Sequence, residues 1–296
     1  MEMQNQPLVS VPVVTYNSAE TIVETLDSIY NQTYPSIELI VSDDCSTDNT
    51  VEIVRKWMNE HKDRFVRTEL ITIPHNKGVT ANYNRAADAC QGEWVKDFDG
   101  DDIMLPECIQ TYVDYVKEYP DTIYLFGKHK AFGPNEKICE VINNRFDYSF
   151  FSLTQEEQLH RLLFESNCIP STTTFYYRKQ VKATGVTNDE RIPLLEDWPK
   201  WINLLKAGVQ FKFIDKVTVL YRVSESSLST TSNQSLAFRI SNALFYQLYQ
   251  FNPEFKEGNK REAIEKWLRA QNTIHQNTFW YIIFKLYKII VMHKIH

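Results

Sequence analysis

Four carboxylates occupy six consecutive positions in the segment DFDGDD, which follows the apolar stretch GEWV. They are Asp97, Asp99, Asp101 and Asp102. Asp and Gly form ordinary solvated turns and Pro106 can open the next helix, so a surface turn is one interpretation. However, like charges this close repel, and a turn needs only one or two of them. A divalent cation held by Asp99 and Asp101 would relieve the repulsion and leave coordination positions for substrate phosphates.

Gly100 lies between these two aspartates and permits a ligand to approach the backbone closely. The segment therefore predicts a metal and diphosphate site, with Mn²⁺ or Mg²⁺ as the cofactor. Asp97 has no role in such a site. For this fourth carboxylate the sequence suggests only a pairing with the neighbouring Lys96.

A second acidic segment, SDDCSTDNT, covers residues 42–50. Its later residues are explained as caps of a helix that begins near Thr50, but capping does not account for Asp43 and Asp44. A carboxylate at the end of a parallel strand can accept the imide N–H of a uracil ring. Recognition of a nucleotide base is therefore a hypothesis for this segment.

A third acidic pair, Glu196–Asp197, stands in the segment LLEDWPKWINLLKAG. Asp197 lies where a helix should begin, so a helix cap is the simpler interpretation. Glu196 exceeds what capping requires. A carboxylate at a helix N-terminus could also face the metal site and act as a general base towards a sugar hydroxyl.

The elements that must position these groups alternate between short β-rich runs and amphipathic helical runs up to residue 126. This pattern predicts an α/β fold with a central, mostly parallel sheet flanked by helices. Ligands of such sheets bind beyond the carboxyl ends of the strands. The polar segments TYN, SDDCSTDNT and DFDGDD all follow strands, so we expect them to form one site. The expected strands are LVSVPVVT, IELIVS, ELITIP, EWVKDF and TIYLF, and the expected helices are 18–32, 47–61, 78–90 and 105–119.

The remainder of the chain is less regular. Between about 127 and 230 we expect short strands (STTTFYYR, FKFI and VTVLYRV) and helices near 154–164 and 197–207, and beyond 230 helices near 235–250, 259–271 and 278–293. We therefore predict one main domain at 1–230 with two halves, 1–126 and 127–230, and a helical C-terminal extension at 231–296.

Composition limits the functional class. With 296 residues and 43% hydrophobic content the chain can bury one substantial core. A formal charge of −6 argues against a nucleic-acid partner. Five cysteines without CxxC spacing support neither a disulfide framework nor a zinc site. The start of the chain lacks the pattern of a secretion signal, and no run is apolar enough to span a membrane, so we expect a cytoplasmic protein.

Several of these segments, taken together, resemble the family 2 glycosyltransferases, which have the GT-A fold. The resemblance covers roughly residues 8–230 and implies an inverting transferase that moves a sugar from a nucleotide diphosphate donor, expected to be a UDP-sugar, to an acceptor hydroxyl. The acceptor class that it implies is a glycan or a lipid-linked saccharide of cell-surface polysaccharide synthesis. It also implies that residues 1–230 are a catalytic domain, with a nucleotide-sugar-binding half (1–126) and an acceptor-binding half (127–230). The segments that carry it are VSVPVVTYNSAETIVETLDSIYNQTYPSIELIVSDDCSTDNT, NKGVTANYNRAADACQGEW, DGDDIMLP, LLEDWPKWINLLKAG and LYRVSESSLS.

The resemblance also implies roles for individual residues. Asp197 matches the catalytic base, and Asp44 the aspartate that recognises the nucleotide base. Asp99–Gly100–Asp101 matches the DxD element, in which Asp101 would bind the metal and Asp99 the ribose or the metal, with support from Asp102. Further residues of the donor site would be Val14, Thr15 and Tyr16 against the nucleotide, Asn76 and Gly78 in a nearby loop, and Arg222 near the diphosphate.

Three departures from the family pattern stand out. Val14 occupies a position where the family often has proline, and Tyr83–Asn84 replaces a frequent Arg–Asn pair. Ser224 stands where many relatives have a histidine that assists metal or diphosphate binding. This last departure leaves open a non-catalytic protein that binds sugar nucleotides or glycans, and the acidic cluster alone would also suit a metal-dependent nucleotidyl or phosphoryl transferase.

The end of the chain, NTFWYIIFKLYKIIVMHKIH, has two interpretations. It is either a terminal helix packed on the domain or an amphipathic helix, residues 278–296, that lies on the inner face of the cytoplasmic membrane. The second interpretation would suit a lipid-linked acceptor.

Overall fold

The computed structural model describes residues 6–223 and 236–250. Alternating apolar residues drive the first strand into the core: Val9, Val11 and Val13 are all fully buried on one face of the sheet. The strands of the described residues are β1 (Val9–Thr15), β2 (Ile37–Asp43), β3 (Arg67–Thr72), β4 (Trp94–Val95), β5 (Phe98–Asp99), β6 (Ile103–Met104), β7 (Tyr124–Phe132), β8 (Thr174–Tyr177) and β9 (Phe211–Arg222).

These strands form a single mixed sheet in the order β3-β2-β1-β4-β8-β7-β9-β6, with β5 also paired to β1. The contacts of β1 with β2, β4 and β5, and of β2 with β3, are all parallel. β8 and β6 run antiparallel to their neighbours. The mostly parallel α/β sheet expected from the sequence is therefore confirmed. The strands of both predicted halves join this one sheet, and the division at residue 126 stays a prediction.

Helices cover both faces of the sheet. Buried residues of α1, α2 and α4 pack on one face, and those of α6 and α8 pack on the other. The helices of the described residues are α1 (Ile22–Tyr30), α2 (Thr50–His61), α3 (Val79–Ala89), α4 (Cys108–Glu118), α5 (Glu136–Arg145), α6 (Gln155–Phe164), α7 (Arg178–Ala183), α8 (Asp197–Lys206) and α9 (Leu236–Phe245).

The C-terminal extension is described only in part. The helix expected near 235–250 is α9, and Tyr246–Gln250 continues it as a π-helical turn. It packs against α8, because the ring of Phe245 stacks on that of Trp198 at 4.1 Å. The helices expected near 259–271 and 278–293 lie outside the described residues. Across the described ranges, no helix has the length and hydropathy needed to cross a membrane.

The structure differs from the sequence expectations in the middle of the chain. The expected strand EWVKDF is divided into β4 and β5, and the break falls at two buried charged residues, Lys96 and Asp97. The two strands expected at FKFI and VTVLYRV are one strand, β9, because an irregularity opposite Lys128 absorbs the polar residues between them. Helices α5 and α7 were not expected.

A buried ionic network ties the amino ends of the strands together. Glu38 of β2 is fully buried and forms an ion pair with Arg67 of β3. It also accepts hydrogen bonds from the Ser10 hydroxyl and from the main-chain N–H groups of Gln91 and Gly92. One carboxylate therefore connects β1, β2, β3 and the segment that leads into β4.

We expect Glu38→Ala to destabilise the protein by about 3–5 kcal/mol, because it removes a buried carboxylate that pairs with Arg67 and leaves two main-chain N–H groups without this acceptor. Glu69→Ala is the matched control, since Glu69 pairs with the same Arg67 at the surface. Its cost should be at most about 1 kcal/mol. Urea unfolding of both variants measures the difference, and equal costs would contradict the role of burial.

Candidate active site

The carboxyl ends of β1, β2 and β5 meet in one place. Val14 pairs with Ser42 across β2 and with Asp99 across β5. At the end of β1 the Thr15 hydroxyl donates to Asp43 at 2.9 Å, and its carbonyl accepts the Asp44 N–H at 3.0 Å. Strand pairing thus brings TYN, SDDCSTDNT and DFDGDD together. Tyr16, the residue after β1, is 50% exposed.

Asp44 is buried and organises the next loop. Its Oδ2 accepts the main-chain N–H groups of Lys77, at 3.0 Å, and of Gly78, at 2.7 Å. Its Oδ1 receives the Arg85 guanidinium at 3.1 Å. Asn76 stabilises the same loop, since its Oδ1 accepts the N–H of Gly78 at 3.1 Å. The predicted base-recognition aspartate and the predicted donor loop are therefore in direct contact.

Two predicted site residues must be glycine for reasons the structure makes plain. Gly78 has φ +89°, and a side chain there would meet the Pro193 carbonyl at 2.9 Å. Gly100 donates its N–H to the Val14 carbonyl at 3.0 Å and accepts the Thr21 hydroxyl at the same distance. A Cβ at this position would lie 3.0 Å from the Val14 carbonyl. The turn that carries Asp99 and Asp101 can therefore lie flat against β1.

The acidic turn itself is partly withdrawn from water. Burial, reinforced by the Asp101 charge, raises the pKa of Asp99 to about 7, and the hydrogen bond from the Tyr83 hydroxyl at 2.6 Å opposes this rise. Burial likewise raises the pKa of Asp101, while the Arg222 charge lowers it. Asp102 is fully buried, and burial and its acidic neighbours raise its pKa well above the usual range.

Arg222, at the end of β9, is bound to the acidic turn. Its main-chain N–H donates to the Asp102 carboxylate at 2.8 Å, and its Nε donates to the Asp101 carbonyl at 2.6 Å. Its guanidinium also pairs with Glu24 of α1 and lies over the ring of Phe132, 4.6 Å from the centroid. The predicted arginine therefore stands beside the predicted metal ligands.

Asp197 is the first residue of α8. Its Oδ1 accepts the N–H of Trp198 at 2.6 Å, and its Oδ2 accepts the side-chain amide of Asn167 at 2.7 Å. Burial raises the pKa of Asp197, and these two donors oppose the rise. Burial and the adjacent charge of Asp197 raise the pKa of Glu196 further, to about 8. Near pH 7 Glu196 is therefore mostly protonated.

A small cavity, with room for about one water molecule, lies beside Glu196 and Asp197. Tyr83, which binds Asp99, also lines it. None of the contacts within the described ranges joins Asp197 directly to the acidic turn. The cavity is lined by Tyr83, Asp97, Ser171, Asn188, Glu196, Asp197, Lys200 and Trp201.

The suggested pairing of Asp97 with Lys96 is wrong. The Asp97 carboxylate forms an ion pair with Lys200 of α8 at 3.1 Å and accepts the Tyr176 hydroxyl at 3.2 Å. The Lys96 ammonium instead donates to two main-chain carbonyls, those of Asp97 at 2.8 Å and Thr172 at 2.6 Å. Adjacent side chains of an extended segment leave it in opposite directions, which separates these two charges.

Comparison with known proteins decides the family. The family model described as "Glycosyl transferase family 2" matches residues 10–183. The chain belongs to this family. It is a glycosyltransferase, and its sheet and flanking helices are those of the GT-A fold.

Two relatives and one solved structure illustrate the match. The chain is 26% identical to a putative teichuronic acid biosynthesis glycosyltransferase, TuaG, of Bacillus subtilis, over 76% of this chain and 82% of that protein. It is 29% identical to WfaP of Escherichia coli, a UDP-Glc:alpha-D-GlcNAc-diphosphoundecaprenol beta-1,3-glucosyltransferase, over 80% of this chain and 85% of that protein. Its fold matches S. aureus TarS 1-349 in complex with UDP-GlcNAc, with a TM-score of 0.63 and 22% identity, over 90% of this chain and 72% of that one.

Sequence reasoning missed four residues of this glycosyltransferase site. Arg85 binds Asp44, Tyr83 binds Asp99, Asn167 binds Asp197, and Lys200 binds Asp97. Two of them carry a sequence signal, because Tyr83 and Arg85 lie on α3 directly after the donor loop. Tyr83 stands where the family often has an arginine, and this chain has an arginine, Arg85, two positions later. Ser224, the third departure from the family pattern, lies outside the described residues.

The acidic turn fits a divalent cation by its chemistry. Asp99 and Asp101 offer hard carboxylate oxygens, and Oδ2 of Asp102 is a buried acceptor without a hydrogen-bond partner. A cation at this position would also favour the charged carboxylates and so lower the pKa values that burial raises. In the part of the chain that the structure describes, no three acidic, histidine or cysteine side chains form a complete ligand cage. Two carboxylates with substrate oxygens are a common ligand set for Mg²⁺.

We expect Mn²⁺ binding in the presence of UDP to strengthen as the pH rises through about 7, because the cation competes with the proton on Asp99. Tyr83→Phe should move this transition to higher pH, since it removes the hydrogen bond that stabilises the charged carboxylate. Electron paramagnetic resonance of free Mn²⁺ measures the affinity. Tyr34→Phe, which removes a remote hydroxyl bound to the Pro7 carbonyl, is the matched control and should leave the transition in place.

Proposed function

We propose that this family 2 glycosyltransferase is an inverting, metal-dependent enzyme that transfers a sugar from a UDP-sugar to a hydroxyl of a glycan or lipid-linked saccharide. The observation that carries the proposal is the cavity between α3 and α8. Tyr83, the hydrogen-bond partner of Asp99, lines it from α3, and Asp197 lines it from α8. A leaving diphosphate at the acidic turn and a base at Asp197 would then act on the same sugar from two sides.

The donor would bind at the ends of β1, β2 and β5. Val14 and Thr15 form the floor, and Tyr16 is exposed enough to contact the base. Asp44 still has about one free lone pair for a uracil imide, because a carboxylate accepts about four hydrogen bonds and this one receives three. The printed names of WfaP and of the TarS complex, which mention UDP-Glc and UDP-GlcNAc, support a UDP-sugar.

The diphosphate would lie at Asp99, Asp101 and Arg222. A divalent cation, when bound by the two carboxylates, neutralises charge that builds on the leaving diphosphate. Arg222 adds a second positive charge beside the same turn, held by the Asp101 carbonyl. The geometry of the turn thus suits departure of a nucleoside diphosphate.

Asp197 would accept the proton of the acceptor hydroxyl as its oxygen attacks the anomeric carbon. The Asn167 amide and the Trp198 N–H fix the carboxylate and stabilise its charged form, yet each oxygen keeps a free lone pair for the incoming proton. A single in-line displacement inverts the configuration at the anomeric carbon.

The acceptor is proposed from the relatives. TuaG is named for teichuronic acid biosynthesis and WfaP for a diphosphoundecaprenol-linked acceptor, which supports a role in cell-surface polysaccharide synthesis. A lipid-linked acceptor would bring the enzyme to the inner face of the cytoplasmic membrane. The amphipathic helix predicted at 278–296 would serve this contact, and it lies outside the described residues.

Release of nucleoside diphosphate from a panel of UDP- and GDP-sugars, with simple glycan and lipid-linked acceptors and Mn²⁺, tests the proposal. We expect release with UDP-sugars that depends on both acceptor and metal. Transfer of a phosphoryl or nucleotidyl group would instead yield a different product set. Binding of UDP-sugars without any release would favour a sugar-nucleotide-binding protein.

Asp197→Asn should lower turnover by about two to four orders of magnitude while UDP binding is retained, because it removes the base and not the donor site. Glu196→Gln is the matched control on the neighbouring carboxyl. The pKa of Glu196 is raised to about 8, so glutamine imitates its protonated form at pH 7, and turnover should stay within about threefold. Steady-state nucleotide release and isothermal titration with UDP provide the measurements. The opposite ranking of the two variants would assign the base to Glu196.

A further inference from the structure

Asp97 and Lys200 form an ion pair that is buried on both sides and joins two segments far apart in sequence. Their side chains are 8% and 9% exposed, and the Nζ–Oδ2 distance is 3.1 Å. Tyr176 completes the pair, since its hydroxyl donates to Asp97 and its ring lies 5.1 Å from the Lys200 ammonium. Both charges are thus held by defined partners in the core.

Each member of this pair lies close in sequence to a candidate functional group. Asp97 lies two residues before Asp99, between the short strands β4 and β5. Lys200 lies one helical turn after Asp197, at the N-terminus of α8. The pair therefore connects the backbone of the acidic turn to the helix that presents the proposed base, and both of its members line the cavity beside that base.

Stability alone is a poor reason for such a pair. Removing two charges from water costs about as much as their attraction returns, and apolar residues of similar size often stabilise a core equally well. An ion pair has a defined geometry, however, which an apolar contact lacks. Its benefit here is the fixed position of α8 relative to β5.

We propose that Asp97 and Lys200 are positioning residues, which hold the N-terminus of α8, and with it Glu196 and Asp197, in register with the acidic turn. The inference rests on the proposed function insofar as Asp197 is the base. Neither residue needs to touch the substrate, and the effect passes through the helix backbone.

The double variant Asp97→Asn/Lys200→Met tests this, because it removes both members of the ion pair together, so that neither is left without its partner, and keeps an acceptor for Tyr176. We expect kcat to fall by about 10- to 100-fold, since a displacement of about 1 Å is enough for such a loss. The donor KM should change by less than about threefold, because the ends of β1 and β2 are untouched. Hydrogen exchange of the Trp201–Leu204 amides, which bond to carbonyls of the first turn of α8, should accelerate by about tenfold.

The matched control is Glu38→Gln/Arg67→Met, which neutralises the ion pair between the buried Glu38 and the partly exposed Arg67 at the amino ends of the strands. It should leave both kcat and the exchange of α8 unchanged at a temperature where all variants are folded. If the double variant folds poorly, the single variants Lys200→Arg and Lys200→Met replace it. Lys200→Arg retains the charge and should keep more activity than Lys200→Met. Equal activity of these two single variants would overturn the proposal.

The exchange measurement needs no turnover, so it separates this inference from the proposed function. Wild-type exchange at α8 together with wild-type kcat in the double variant would show that the pair does not position the helix. Near-normal transfer by Asp197→Asn would instead contradict the base assignment, while accelerated exchange in the double variant would still support the positioning role.

Discussion

Neighbouring carboxylates that are buried together repel one another. This site is stable because cations and hydrogen-bond donors compensate their charges. The compensation is local and specific to each group. Lys200 pairs with Asp97, Tyr83 donates to Asp99, and the main-chain N–H of Arg222 donates to Asp102. Burial still raises the pKa values of Asp99 and Asp101, and at Asp99 the charge of Asp101 adds to the rise. A divalent cation at the turn would favour the charged carboxylates, and the proposed diphosphate would be held by that cation rather than by the carboxylates.

The architecture of the sheet makes this concentration of charge possible. Parallel pairing of β1 with β2 and β5 brings three strand ends to one edge, where each loop supplies donors to the others. Gly100 allows the acidic turn to approach the Val14 carbonyl, and Gly78 allows the loop after β3 to place its N–H groups on Asp44. The site is therefore built largely from backbone contacts, so its shape depends on the strands rather than on flexible side chains.

The sequence predicts the parts of this site that rest on local pattern. Alternating apolar residues and strand-end aspartates are local signals, so the first strands, their helices and the acidic turn were foreseeable. The partners of those aspartates were not. Lys200 lies 103 positions from Asp97, and Asn167 lies 30 from Asp197, so only the folded chain brings them together. The break at Lys96 has the same origin, because its acceptor at Thr172 is 76 residues away.

Two neighbouring carboxyls, Glu196 and Asp197, show how environment divides chemical roles within one motif. Both are withdrawn from water, which raises both pKa values. Asp197 has two hydrogen-bond donors that favour its charged form, whereas the charge of Asp197 itself favours a protonated Glu196. The two hydrogen bonds therefore favour the charged form of Asp197 over that of Glu196. In the proposed reaction this carboxylate accepts the proton, and Asn167, far away in sequence, supports that role.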